Sequence, residues 1–160
     1  MTQVPHPTQA VTTVSVSRVI AASPERLYEL ITNLPRMGEW SSENRGGRWL
    51  KGAHGAAVNA RFKGKNANGW RRWSTIATVL VADPPREFLF QVRGGGFPIA
   101  KWGYELEKVD GGTKVTETWY DNRSNLLAKV TGTAVGVRDR AAFNRSGMEQ
   151  TLERLAAAAE

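Results

Sequence analysis

The 160-residue chain contains no cysteine. That excludes disulfides, thiolate nucleophiles and Cys-ligated zinc or iron–sulfur sites, although it does not identify the redox compartment. Histidine is almost as scarce, with His6 near the start and His54 in the loop KGAHGAA. One loop histidine makes neither a His/Cys metal cluster nor a Cys–His pair, so no metal site is expected. A nucleophile elbow GxSxG is missing, and GGRWLKG, GGG and VTGTAVG fit neither phosphate-loop nor dinucleotide fingerprints. No cofactor is expected. No apolar run approaches the ~20 residues of a membrane helix, so stable membrane insertion is not expected. The stretch MTQVPHPTQAVTTVSVSRV lacks the continuous apolar core of a secretion signal, and a soluble, cytoplasmic protein is the expectation.

What is present is ordinary in bulk and unusual in detail. Hydrophobic residues make up 41% and charged residues 23% of the chain, as in a globular protein. Six tryptophans are many for this length, and an indole suits either a core or a lined pocket. The formal charge of +7 favours anionic partners at long range: nucleic acid, acidic lipid or a carboxylate ligand.

Periodicity predicts the elements. Residues 1–11 carry two prolines and no pattern, and read as a loose tail before a single domain over 12–160. TVSVSRVI alternates and is β-branched, as a strand should be. Ser23-Pro24 then supplies an N-cap and a first-turn proline for a helix whose apolar stripe is Leu27, Leu30, Ile31 and Leu34. Pro35 interrupts it, and a second short helical turn is expected to Trp40. The segments ENRGGRWL, AAVNARFKGK, WSTIATVLVADPP and EFLFQVR follow as strands without intervening helices, which predicts an antiparallel meander. NLLAKVTGTAVGVRDR reads as a loop with room for a short helix. From Asp139 a long helix is expected, with Ala141, Asn144, Met148, Leu152 and Leu155 on one stripe.

The most informative stretch is WGYELEKVDGGTKVTETWY, Trp102 to Tyr120. Asp110-Gly111 suits a two-residue type I′ turn, with Val109 facing Gly112. Trp102 then opposes Trp119, Tyr104 opposes Glu117 and Leu106 opposes Val115. On the other face Glu107 meets Lys114, as an exposed pair should. A slip of one residue would bring Glu107 to the apolar side. Glu117 therefore lies on an inner face among Trp102, Tyr104 and Trp119. A carboxylate there must be hydrogen-bonded, ion-paired or protonated. Tyr104 is one candidate donor, and Arg93 on a neighbouring strand is a candidate ion-pair partner. Asn144 poses the same choice on the helix: a ligand contact, or a bond to a loop carbonyl.

These motifs together resemble the START-related helix-grip superfamily (SRPBCC), in particular its bacterial polyketide cyclase/dehydrase and lipid-transport branch. VSRVIAASPERLYELITNLPRMGEWSSE is similar to its first strand and helix pair. WGYELEKVDGGTKVTETW resembles its penultimate hairpin, and NRSGMEQTLERLAAAAE its C-terminal helix. The resemblance implies an α+β fold in which a curved antiparallel sheet of about seven strands grips the long C-terminal helix. It also implies an apolar cavity lined by Trp102, Tyr104, Glu117 and Trp119 from the sheet and by Asn144, Met148 and Leu152 from the helix. Trp40 would close one end.

A small hydrophobic ligand such as a polyketide or lipid is the expected partner. Turnover, where present, would be cofactor-independent acid–base chemistry with Glu117 as acid or base and Tyr104 as hydrogen-bond donor, suited to cyclisation or dehydration. The rival reading is a nucleic-acid or ribosome-associated protein. Arg61–Trp73 interleaves Arg61, Lys63, Lys65, Arg71 and Arg72 with Trp70 and Trp73, the ingredients of single-strand binding. The same stretch also fits a solvated strand edge.

Overall fold

Glu107 and Lys114 face one another across a hairpin, and the remaining strands assemble around it. The structure, a computed structural model, describes residues 12–160, so the tail expected over 1–11 lies outside the described residues. Seven strands form one antiparallel sheet: β1 (Thr13–Ile20), β2 (Asn44–Trp49), β3 (Arg61–Asn68), β4 (Arg71–Asp83), β5 (Glu87–Gly94), β6 (Phe97–Val109) and β7 (Gly112–Asp121). Their spatial order is β1-β7-β6-β5-β4-β3-β2, a meander closed by β1 pairing with β7. Helix α1 (Pro24–Thr32) and a 3-10 turn (Leu34–Glu39) connect β1 to β2. Helices α2 (Asn125–Val135) and α3 (Arg140–Ala159) complete the chain, giving the α+β helix-grip arrangement of a curved open sheet and a long C-terminal helix.

Local chemistry accounts for most boundaries. Ser23 caps α1 by accepting a hydrogen bond from the Arg26 amide, and Pro24 occupies the first turn. Leu27, Leu30 and Ile31 are buried on the helix, while Leu34 is buried one step beyond it, on the 3-10 turn. Asp139 caps α3, and its carboxylate accepts from the Ala142 amide. The main core joins α1, the inner sheet face and the end of α3 through Ile20, Leu27, Val79, Phe88, Val115, Leu152 and Leu155.

Three expectations change. The strand expected over AAVNARFKGK starts only at Arg61, because Asn59 takes a positive φ of 70° that ends extended backbone there. The β6–β7 turn has the expected pairing of Val109 with Gly112 but is not type I′. Asp110 keeps a negative φ while Gly111 and Gly112 take φ of 84° and 146°, so the two glycines bear the conformations that a Cβ disfavours. The stretch after Asn125 is a full helix, capped by Ser124 at one end and by left-handed Gly136 at the other.

Candidate functional site

Alternation sends every second residue of β3 to β7 toward α3. Phe62, Gly64 and Asn66 on β3, Trp73, Thr75 and Ala77 on β4, and Phe90 and Val92 on β5 line a cavity of about 420 Å³. Ala100, Trp102, Tyr104, Glu117 and Trp119 continue the wall from β6 and β7. Arg140, Asn144, Gly147, Met148 and Thr151 face them from α3, and Thr131, Ala134 and Val135 from α2. Gly147 allows the close approach of α3, since a methyl group there would lie 2.8 Å from Ser42 Oγ.

The pairing of β6 with β7 is the one expected: Tyr104 with Glu117, Trp102 with Trp119, Leu106 with Val115. On its other flank Glu117 faces Val16 of β1. Tyr104 Oη donates to Glu117 Oε1 at 2.8 Å, and Glu117 Oε2 has no hydrogen-bond partner among the described residues. Both side chains are buried, at 3% and 4% exposure. Burial raises the Glu117 carboxyl to about 8, against a smaller opposing effect of the Tyr104 bond, which favours the charged form. Tyr104 is pushed well above 10.0, first by burial and then by the neighbouring Glu117 charge. At neutral pH Glu117 is therefore mostly a neutral acid. With Oε1 accepting from Tyr104, Oε2 is the oxygen left free to carry the proton.

The ion pair considered from sequence does not form. Arg93 is exposed and donates to the Gly96 carbonyl, while its Cα partners are Ile76 and Pro98. Two other arginines reach the cavity, each with its own carboxylate. Arg123 holds Asp121 with two bonds, Nε–Oδ1 at 2.9 Å and Nη2–Oδ2 at 2.8 Å, and donates from Nη1 to Thr131 Oγ1 at 3.0 Å. Arg140 Nη1 donates to both oxygens of Glu43, at 2.8 and 3.1 Å. Asn144 is buried beside that pair, with Oδ1 3.5 Å from Arg140 Nη1, and bonds no loop carbonyl among the described residues. With Glu117 neutral and both arginines paired, these wall groups carry no net charge.

Of the eight cavity residues expected from sequence, the structure brings Trp102, Tyr104, Glu117, Trp119, Asn144 and Met148 to the wall. Two lie elsewhere. Trp40 is 2% exposed in the main core, with the Arg36 guanidinium 5.8 Å from its ring. The 3-10 turn directs it inward, and Ser41 to Asn44 form that part of the wall instead. Leu152 is also core, because α3 passes beyond the cavity after Thr151 and meets α1 and the sheet.

Several wall residues were not anticipated. Phe62 and Asn66 carried a signal, since Arg61, Lys63 and Lys65 alternate with them on β3 and point outward, and Trp73 alternates with exposed Arg72 and Ser74 on β4. Trp70 is exposed at the β3–β4 turn with Arg71 stacked on it, while Trp73 faces the cavity, so the two indoles do not form one stacking surface. Arg123 and Arg140 had no local signal. His54 is exposed in its loop.

A sequence model of the family described as polyketide cyclase / dehydrase and lipid transport matches residues 11–160. The chain belongs to that family. The chain is 30% identical to a polyketide-cyclase-like protein of Corynebacterium glutamicum, covering 94% of this chain and 84% of the other, with a TM-score of 0.52. It shares its fold with a protein of Chromobacterium violaceum at 17% identity, with 92% and 97% of the two chains covered and a TM-score of 0.69. The di-domain ARO/CYC StfQ from the steffimycin biosynthetic pathway also matches in fold, at 10% identity and a TM-score of 0.71. There 93% of this chain covers 50% of the larger one. No curated protein matches the chain. Among the described residues no helix is long and apolar enough to cross a membrane.

Proposed function

We propose that this family member binds a small, mainly apolar, uncharged ligand between the sheet and α3, with the Glu117–Tyr104 pair meeting an oxygen of that ligand. One observation carries the reading: Glu117 lines the cavity, buried, with Oε2 unpartnered. A buried polar atom without a partner costs about 1–3 kcal/mol, and a ligand carbonyl, hydroxyl or ether oxygen accepting from Oε2–H would recover it. Aromatic walls and paired arginines favour a neutral molecule over an anion or a cation. A volume of about 420 Å³ suits a fused-ring polyketide or a short lipid better than an extended one.

Turnover is a second reading, favoured by the same acid. A carboxyl with a pKa near 8 is poised for proton transfer close to neutral pH, as cyclisation or dehydration of a polyketide-like substrate requires. Native mass spectrometry of freshly purified protein, with extraction and identification of any bound molecule, tests the binding reading. A ligand-free protein that also ignores a panel of neutral polyketides and lipids would overturn it. Glu117→Gln separates the two readings. Binding retained with turnover lost marks an acid–base residue, whereas binding retained with no turnover in either protein leaves a carrier.

A further inference from the structure

Four of the most exposed large apolar residues sit at one end of the molecule. Trp70 is 80% exposed, Phe97 59%, Leu126 73% and Val130 59%. Trp70 occupies the β3–β4 turn closed by Asn68 and Arg71, and Phe97 begins β6 at the turn closed by Gly94. In an antiparallel sheet these two turns and the end of β7 lie on the same edge. Helix α2 lies against that edge. Asn68 Nδ2 donates to the Val135 carbonyl at 2.9 Å, and the Arg71 guanidinium covers Gly136. The Asn122 amide donates to the Ile99 carbonyl at 3.0 Å just before α2 begins. Leu126 and Val130 are one turn apart on α2 and face outward together. The same segments line the cavity through Gly94, Gly95, Thr131 and Ala134.

Charge is distributed along the same axis. Arg71, Arg72, Arg93, Lys129 and Arg138 surround these apolar residues, and none forms a salt bridge among the described residues. Carboxylates at this end are engaged: Asp121 by Arg123, Glu43 by Arg140, and Asp139 by the Ala142 amide. Arg71 stacks 4.6 Å from the Trp70 ring, which places a cation beside an exposed indole. The opposite end mixes the two signs, with Glu25, Asp83, Asp110 and Glu160 beside Lys51, Arg86 and Lys108, and Arg86 pairs with Asp83.

We propose that this rim docks the protein on an anionic phospholipid bilayer, with Trp70, Phe97, Leu126 and Val130 entering the headgroup–acyl boundary and the five cations resting on lipid phosphates. Apolar side chains on separate turns, ringed by unpaired cations, suit a laterally fluid surface that adapts to them. Single-stranded RNA suits them less, since bases stack on the two aromatics but gain nothing from Leu126 and Val130. The orientation turns the cavity-lining segments toward the bilayer. The proposal does not depend on which ligand the cavity takes.

Vesicle flotation tests it, using phosphatidylcholine alone and phosphatidylcholine with about one-third phosphatidylglycerol. Each basic residue near such a surface contributes roughly fivefold in affinity, and salt screens that contribution. The full chain should float with anionic vesicles at low salt and bind neutral vesicles at least ~10-fold more weakly. Two variants divide the contributions: Trp70→Ser/Phe97→Ser/Leu126→Ser/Val130→Ser, and Arg72→Glu/Lys129→Glu. Each should lose ~10-fold or more of the binding while keeping the circular dichroism and melting transition of the parent. The proposal is overturned by absence of binding to anionic vesicles at low salt, or by either folded variant binding as the parent does. It is also overturned if unspecific RNA binds under the same conditions and vesicles do not.

Discussion

Replacing Glu117 by Gln should change how the stability of this protein depends on pH. Burial holds the folded carboxyl at about 8, against 4.5 for the group in solvent. Below pH ~4 both states are protonated and the group contributes no pH dependence. Between 4.5 and about 8 the unfolded chain releases the proton while the folded chain keeps it. The unfolded state then binds fewer protons, so stability falls as pH rises, by about 1.4 kcal/mol per pH unit. The whole loss is on the order of 4–5 kcal/mol, complete above the folded pKa.

Gln is close in shape to the neutral acid, and its carbonyl can still accept from Tyr104, but it does not titrate. At pH 5 the two proteins should differ by about 1 kcal/mol or less. By pH 9 the variant should be the more stable by ~4 kcal/mol. Urea denaturation of both at several values from pH 5 to 9 measures the gap directly, because every other titrating group cancels in the difference. A domain of this kind has roughly 5–15 kcal/mol in hand, so the folded baseline should persist. A gap that stays constant from pH 5 to 9 would refute the reasoning, since it would mean that Glu117 titrates alike in both states.

Tyr104→Phe removes the one side-chain donor to Glu117 among the described residues, and because that bond favours the ionised form, the carboxyl should titrate higher still. Carbon-13 NMR of the Glu117 carboxyl reads this, and an unchanged titration would contradict it. Trp40→Ala should cost about 3–5 kcal/mol in denaturant unfolding while leaving affinity for any identified cavity ligand within a few-fold, since Trp40 is core and not wall. Ala77→Phe projects a ring into the cavity and should weaken that ligand ~10-fold or more by calorimetry, with stability changed by only ~1–2 kcal/mol because the ring enters existing space. Arg140→Ala leaves Glu43 without its partner at a largely buried position and should lower stability by ~2–3 kcal/mol, read from the denaturation midpoint.

Which of these residues a reader of the sequence would have chosen is instructive. Tyr104 and Glu117 were legible because a hairpin is local: two alternating arms and a two-residue turn fix which side chains face one another. Met148 and Asn144 were legible from helical spacing alone. Phe62 and Trp73 were equally legible in principle, but the basic residues alternating with them drew the reading toward the outer face. Trp40 was misassigned because its direction depends on how a 3-10 turn leaves α1, and no periodicity operates over so few residues. Helix α2 was legible only as a loop with room for a short helix, because Thr, Gly and Val favour helix weakly. Its caps and its contacts with the β3–β4 turn hold it.

The sequence by itself determined the meander, the pairing of β6 with β7 and the presence of a carboxylate on an apolar face, since all three follow from periods of a few residues. Tertiary structure decided what that carboxylate meets. Arg93 turns away to the Gly96 carbonyl, Arg123 and Arg140 are taken by Asp121 and Glu43, and among the described residues Tyr104 alone hydrogen-bonds Glu117. The Arg140–Glu43 pair forms only when α3 crosses the sheet, and the partners of Arg93 and Arg123 depend on side-chain directions that local spacing does not specify. Their outcome is a neutral acid beside a cavity.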